Sequence, residues 1–106
     1  MELKDLKAFI KEEDQHLQER YGYVDEEKRI LARTVKITEE LGELCDEVLS
    51  FNSLQRQDKL DKHDLNNLSD EFADVILTTL LLAETMKVDI EQALNNKIEK
   101  IRLRRS

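Results

Sequence analysis

The chain has no proline and only two glycines, Gly22 and Gly42, among its 106 residues. Little therefore interrupts long helices, and the residues that make tight turns are scarce. Aromatic side chains make up 5% of the composition, thin material for the core of a β-sandwich or barrel. Cys45 is the single cysteine, so no internal disulfide can form, which suits a reducing cytoplasmic location. There is no N-terminal apolar leader. The longest apolar run, Val75 to Ala83, is interrupted by Thr78 and Thr79 and is far shorter than the roughly 18 residues of a membrane span. With 24 acids against 17 bases the net charge is −7, which disfavours nonspecific binding to nucleic acid or to an anionic membrane.

What is present is helix-forming and charged: 39% of residues are Asp, Glu, Lys or Arg. The expected architecture is all-α, a four-helix antiparallel bundle-type subunit in which residues 1–106 form a single domain. A first helix is expected from about Glu2 to Arg20, with Leu3, Leu6, Ile10 and Leu17 on one face. Asp25 is placed to cap a second helix that runs to about Ser50, with a stripe of Ile30, Ile37, Leu41, Leu44 and Val48. Asn52 to His63 is polar and aperiodic and reads as a loop. Asp64 is then expected to cap a third helix ending near Met86, striped by Leu68, Phe72, Val75, Ile76 and Ala83. Leu77, Leu80, Leu81 and Leu82 make that helix apolar nearly all round, which in so short a chain points to burial by a partner subunit. Asp89 and Gln92 have the spacing of a capping box that opens a fourth helix.

Two carboxylate pairs stand at i, i+3: Glu40 with Glu43 on the second helix and Glu71 with Asp74 on the third. That spacing sets both members of a pair on one face, beside the apolar stripe. If the two helices pack antiparallel, the pairs converge on a half-buried seam. Carboxylates gathered there repel one another until something neutralises them. A hard divalent cation such as Mg²⁺ does so and also binds phosphate oxygens. In a chain with 24 acids a single pair is ordinarily a solvated face. Two pairs, each bordering a core stripe, shift the balance toward a metal site. Gly42 shifts it further, because a mid-helix glycine costs about 1 kcal/mol relative to alanine. It is explained either by close helix packing or by room for a ligand beside Glu43.

On the fourth helix Ile90, Leu94 and Ile101 define the expected buried face; Lys97 falls within it, and Lys100 and Arg104 follow at i+3 and i+7, a cationic stripe bordering the core. Such cations either snorkel to solvent or clamp a polyphosphate. Asn95 and Asn96 adjoin them and are either ordinary surface or partners for a base, sugar or phosphate.

In order along the chain, Lys36-Ile-Thr-Glu39-Glu40-Leu-Gly42-Glu43, a spacer over residues 44–70, Asp70-Glu71-Phe-Ala-Asp74-Val-Ile-Leu and Asn95-Asn96-Lys97-Ile-Glu-Lys100 resemble the motif blocks of the MazG-like all-α nucleoside triphosphate pyrophosphohydrolases. The resemblance covers roughly residues 28–104. It implies a helical homodimer or homotetramer that cleaves a nucleoside triphosphate between the α and β phosphates, with Mg²⁺ as cofactor and Mn²⁺ as a substitute. It implies that Glu40, Glu43, Glu71 and Asp74 are the metal ligands, and that Glu39 holds a second metal or positions the attacking water. Lys97 and Lys100, with Asn95, match positions near the phosphates. Lys36 matches a basic residue one turn before the first motif, pairing with Glu40 or touching substrate. The chain departs from the longer members in lacking a second such module, and its base-stacking aromatics have no sure counterpart; Tyr21 and Tyr23 are the candidates.

Two other readings compete. A di-metal ferritin-like bundle needs two Glu-x-x-His motifs, and only Glu13-x-x-His16 has that spacing, since Leu60 stands three residues before His63. A noncatalytic helical nucleotide-binding or regulatory oligomer is the alternative from another class, distinguished by indifference to Mg²⁺ and EDTA.

Overall fold

A computed structural model describes residues 1–22, 25–52 and 62–105; for residues 52 and 62–65 it describes the backbone alone. The expected loop and Tyr23 therefore fall largely outside the described residues. The described residues form four helices and no strand: α1 (Leu3–Tyr21), α2 (Glu26–Asn52), α3 (Lys62–Thr85) and α4 (Ile90–Arg104).

Local chemistry sets most of the boundaries. The Asp5 carboxylate accepts from the Glu2 N–H at 2.9 Å, satisfying a donor just ahead of α1. Gly22 ends α1 with φ 60°, a left-handed conformation that costs glycine nothing. Asp25 Oδ1 accepts from the Glu27 N–H at 2.9 Å and opens α2. Asp89 caps α4 by accepting from the Gln92 N–H at 3.0 Å. The Gln92 side chain donates to Asn96 Oδ1, one turn further on. Asp64 is not the cap expected of it: α3 begins at Lys62, so Asp64 lies inside the first turn.

The packing joins α2 to α3 and α1 to α3. α2 and α3 run antiparallel, since Arg33 near the start of α2 reaches Thr85 at the end of α3 while Glu40 and Glu43 lie by Glu71. Arg33 is the tie among three helices. Its Nη1 donates to Asp14 Oδ1 of α1 at 2.6 Å and to the Thr85 hydroxyl, which in turn donates to the Leu81 carbonyl at 2.9 Å. Ile10, 5% exposed, is the one hydrophobic residue of the described set that is buried outright.

α4 departs from the expected bundle. Its first turn is held by the Lys7–Glu91 ion pair at 3.1 Å, but Leu94, Ile98 and Ile101 remain 49, 44 and 38% exposed. Of the face read as buried, Ile90 is half-buried and Leu94 and Ile101 are open within one chain. So are Leu31 and Val35 on α2, each 58% exposed, and Phe72 and Ile76 on α3 at 50 and 55%. No helix among the described residues is long and apolar enough to cross a membrane.

Candidate metal centre

The site forms where the middle of α2 passes the first half of α3. Thirteen-atom helical rings place residues three apart on the same face, so Glu40 and Glu43 present together, and the antiparallel partner presents Glu71 opposite them. One carboxylate oxygen from each of Glu40, Glu43 and Glu71 lies within 4.8 Å of the other two. Asp74, one turn after Glu71, lies against Glu40: burial first, and the Glu40 charge next, raise its carboxyl above the ordinary value. The Glu71 carboxyl is raised too, by burial and then by Glu43, Asp74 and Glu40. Of the four acids expected to converge, Glu40, Glu43 and Glu71 come together, and Asp74 is near Glu40 at the edge of the group.

Glu40 sets the character of the site. The residue is 7% exposed, and its two oxygens have different surroundings. Oε1 meets Lys36 Nζ at 3.2 Å. Oε2 is buried with no hydrogen-bond partner, as is Oε2 of Glu71. Buried carboxylate oxygens left unsatisfied are costly, and a divalent cation is the group whose oxygen chemistry answers them. The donor set of clustered carboxylates, with no histidine or cysteine in it among the described residues, fits Mg²⁺ or Mn²⁺ rather than a softer metal. The Glu13–His16 pair, on α1, is no part of it.

Lys36 bridges the rim. It contacts Glu39 at 3.5 Å as well as Glu40, and the hydrogen bond to Glu40 raises its ammonium above the ordinary value. Glu39 is exposed on the flank of α2, at the edge of the cluster rather than inside it. Asn95, Lys97 and Lys100 are exposed on α4, and no described packing brings that helix to the carboxylates within one chain. The aromatic Tyr21 is exposed at the end of α1, with the Arg20 guanidinium 5.5 Å from its ring centre.

Gly42 has open space where a Cβ would project, with nothing of its own chain within 4 Å. Close packing inside the protomer does not explain it. A second apolar stripe on α2 escaped the sequence reading. Leu31, Val35, Thr38, Gly42, Cys45 and Leu49 recur at alternating spacings of four and three on the side facing away from α3. The small and polar members in its centre hid it from a search for large hydrophobics.

These features define an all-helical protein with a cluster of carboxylates of the kind that can hold a divalent cation. A family model for the MazG nucleotide pyrophosphohydrolase domain matches residues 26–106, and the chain belongs to that family. Comparison with curated proteins and with solved structures returns no match. The matched span includes the three clustered acids, Asp74 and α4 but excludes α1, so the Arg33–Asp14 tie attaches an element that the family model does not cover.

Proposed function

We propose that residues 1–106 act as a single MazG-like domain, a Mg²⁺-dependent hydrolase that cleaves a nucleoside triphosphate to the monophosphate and pyrophosphate and works as a homo-oligomer. The observation that carries this reading is the buried, unpartnered Oε2 of Glu40 beside the carboxylates of Glu43 and Glu71. A surface acid has no reason to be desolvated and left unpaired; a metal ligand does.

In this reading Glu40, Glu43, Glu71 and Asp74 hold the cation. When bound, Mg²⁺ neutralises phosphate charge and lowers the pKa of coordinated water. The chain's own residues do the rest. Lys36 fixes the orientation of Glu40 through the ion pair to Oε1. Glu39, on the solvent side of that pair, orients the water that attacks the α phosphorus and takes its proton. The bond from that phosphorus to the bridging oxygen breaks, and pyrophosphate leaves with the electron pair. Lys97 and Lys100 neutralise the departing phosphates, with Asn95 adding a neutral hydrogen bond.

The test is pyrophosphate release from a broad panel of standard and modified nucleoside triphosphates, with Mg²⁺ and then Mn²⁺. Release from at least one member, abolished by Glu40→Gln or Asp74→Asn with helicity retained, is expected. Silence across the panel at high protein concentration, alongside metal-independent nucleotide binding, would instead support the noncatalytic binding module.

A further inference from the structure

The solvent-shielded residues of α2 from Ile30 to Leu44 are Ile30, Arg33, Ile37, Glu40 and Leu44, spaced alternately by three and four. α3 repeats the pattern with Leu68, Glu71, Val75, Thr78, Leu82 and Thr85. Each helix thus offers the seam a seven-residue repeat in which apolar and polar positions alternate. The apolar positions recur at the same interval on both helices. Sliding α2 by seven residues, about 10 Å, therefore sets apolar side chains against apolar ones again, and burial alone does not choose between the two registers. The carboxylates do not choose the observed one either. Glu40, Glu43 and Glu71 repel one another where they stand, and sliding apart relieves them.

The choice falls to the other end of the seam. Glu40 and Thr85 are the buried polar residues of the described set, 7 and 5% exposed. Thr85 receives the Arg33 guanidinium, which stands seven residues before Glu40 on the same line of α2. The same Nη1 donates to Asp14 Oδ1 at 2.6 Å, and Gln18 Nε2 steadies that carboxylate by donating to Oδ2 at 3.0 Å. Asp14 belongs to α1, which packs on α3 and does not travel with α2. A slip would draw the guanidinium off both partners and set it against Thr78, whose hydroxyl already donates to the Asp74 and Val75 carbonyls. A shielded cation stripped of its counter-ion is strongly unfavourable, and a polar group at one position of a helical seam is a known means of fixing register.

We infer that Arg33 is a positioning residue for the carboxylate site: bonded to Asp14 and Thr85, it locks α2 and α3 in the register at which Glu40 and Glu43 meet Glu71. It acts through two turns of α2 and not by contact with the acids. α1, outside the matched family span, is thereby part of how the site is built. The consequence for a bound cation rests on reading the carboxylates as a metal site, whereas the register does not.

Two readouts separate those claims. In metal-free full-length protein, nitroxide labels on the exposed Cys45 of α2 and on Met86→Cys, an exposed position just past α3, report the register by double electron–electron resonance. Unlabelled protein is added so that pairs within one chain dominate. Arg33→Met keeps the apolar stem and removes the guanidinium; Thr85→Val keeps the shape and removes the hydroxyl. Each is expected to broaden the distance distribution and add a population displaced by about 10 Å, one seven-residue repeat, while Thr85→Ser reproduces the parent. An unchanged distribution in both variants, or in Thr85→Val alone where Arg33→Met does not fold, overturns the proposal whether or not Mg²⁺ binds. Calorimetric titration with Mg²⁺ is expected to show Kd weakened about tenfold in Arg33→Met and Thr85→Val, the usual scale for residues that orient metal ligands. Thr85→Ser is expected to bind like the parent. So is Ile10→Ala, which empties a buried position of α1 and lowers stability but leaves Arg33 and its partners in place. An unaltered Kd in both seam variants, or equal weakening by Ile10→Ala, overturns the positioning role. Absence of Mg²⁺ binding by the parent sinks the metal reading, and the distance measurement then decides the register by itself.

Discussion

Replacing Glu40 by glutamine removes one negative charge from the cluster and keeps its shape, so its effect on stability measures the balance of charges there. In metal-free protein the Glu40 carboxylate has two neighbours of like sign, Glu43 and Glu71, with oxygens within 4.8 Å. It has one neighbour of opposite sign, Lys36, at 3.2 Å. Coulomb's law at an effective dielectric of about 40, midway between a protein surface and water, puts each repulsion near 1.7 kcal/mol and the attraction near 2.6 kcal/mol. Lys36 is 55% exposed, which screens the attraction as solvent screens the exposed Glu43. Asp74 adds repulsion on the other side. The substitution should therefore stabilise the metal-free protein by about 1 kcal/mol, a rise of roughly 4–8 °C in Tm for a domain of this size. Mg²⁺ reverses the order. Saturation to 100 times its Kd adds about 2.7 kcal/mol to the wild type, and much less to a variant lacking its most buried ligand. Thermal unfolding followed by circular dichroism, in EDTA and across a Mg²⁺ titration, reads both effects. A lower Tm for the variant in EDTA, or equal Mg²⁺ shifts for the two proteins, would refute the reasoning.

The raised carboxyls of Glu71 and Asp74 set a pH dependence. A carboxyl raised by folding binds its proton more tightly in the folded state, so metal-free stability is greatest below the ordinary carboxylate range and is lost as pH climbs through the raised values. The Mg²⁺-induced Tm shift should accordingly be small near pH 4 and large near pH 7; a constant shift would contradict this. Arg33→Ala leaves Asp14, whose side chain is 20% exposed, with only the Gln18 amide as donor, and should cost about 3 kcal/mol by urea unfolding, the low end for breaking a buried pair. A loss under about 1 kcal/mol would show that α1 is held by its apolar contacts alone. Gly42→Ala places a Cβ where nothing of its own chain lies within 4 Å and improves helix propensity by about 1 kcal/mol, so urea unfolding is expected to show a gain of up to that size. A loss of stability with helicity unchanged would show that the space beside Gly42 is occupied.

Helix number, order and most ends were legible because they rest on local chemistry: capping carboxylates at Asp25 and Asp89, the left-handed Gly22, and the absence of proline. The acidic pairs were legible because a three-residue spacing fixes a shared face before any tertiary contact exists. Asp64 was misplaced as a cap because the carboxylate that suits a cap equally suits the first helical turn. The Arg33–Asp14–Thr85 tie was invisible, since its members lie on three helices and no periodicity links them. Nor could apolar spacing along α4 say whether Leu94, Ile98 and Ile101 meet their own chain or another, because a stripe records which side needs covering and not what covers it.

By itself, then, the order of residues determined that the chain is helical and that its acids come in paired faces, since both follow from backbone geometry over three or four neighbours. Only the tertiary structure decided that Glu40, Glu43 and Glu71 share one seam, that one oxygen of Glu40 is desolvated there without a partner, and that α4 stands clear of it. Those outcomes depend on the register at which α2 slides past α3 and on the angle at which the chain leaves α3, quantities set by packing among distant residues.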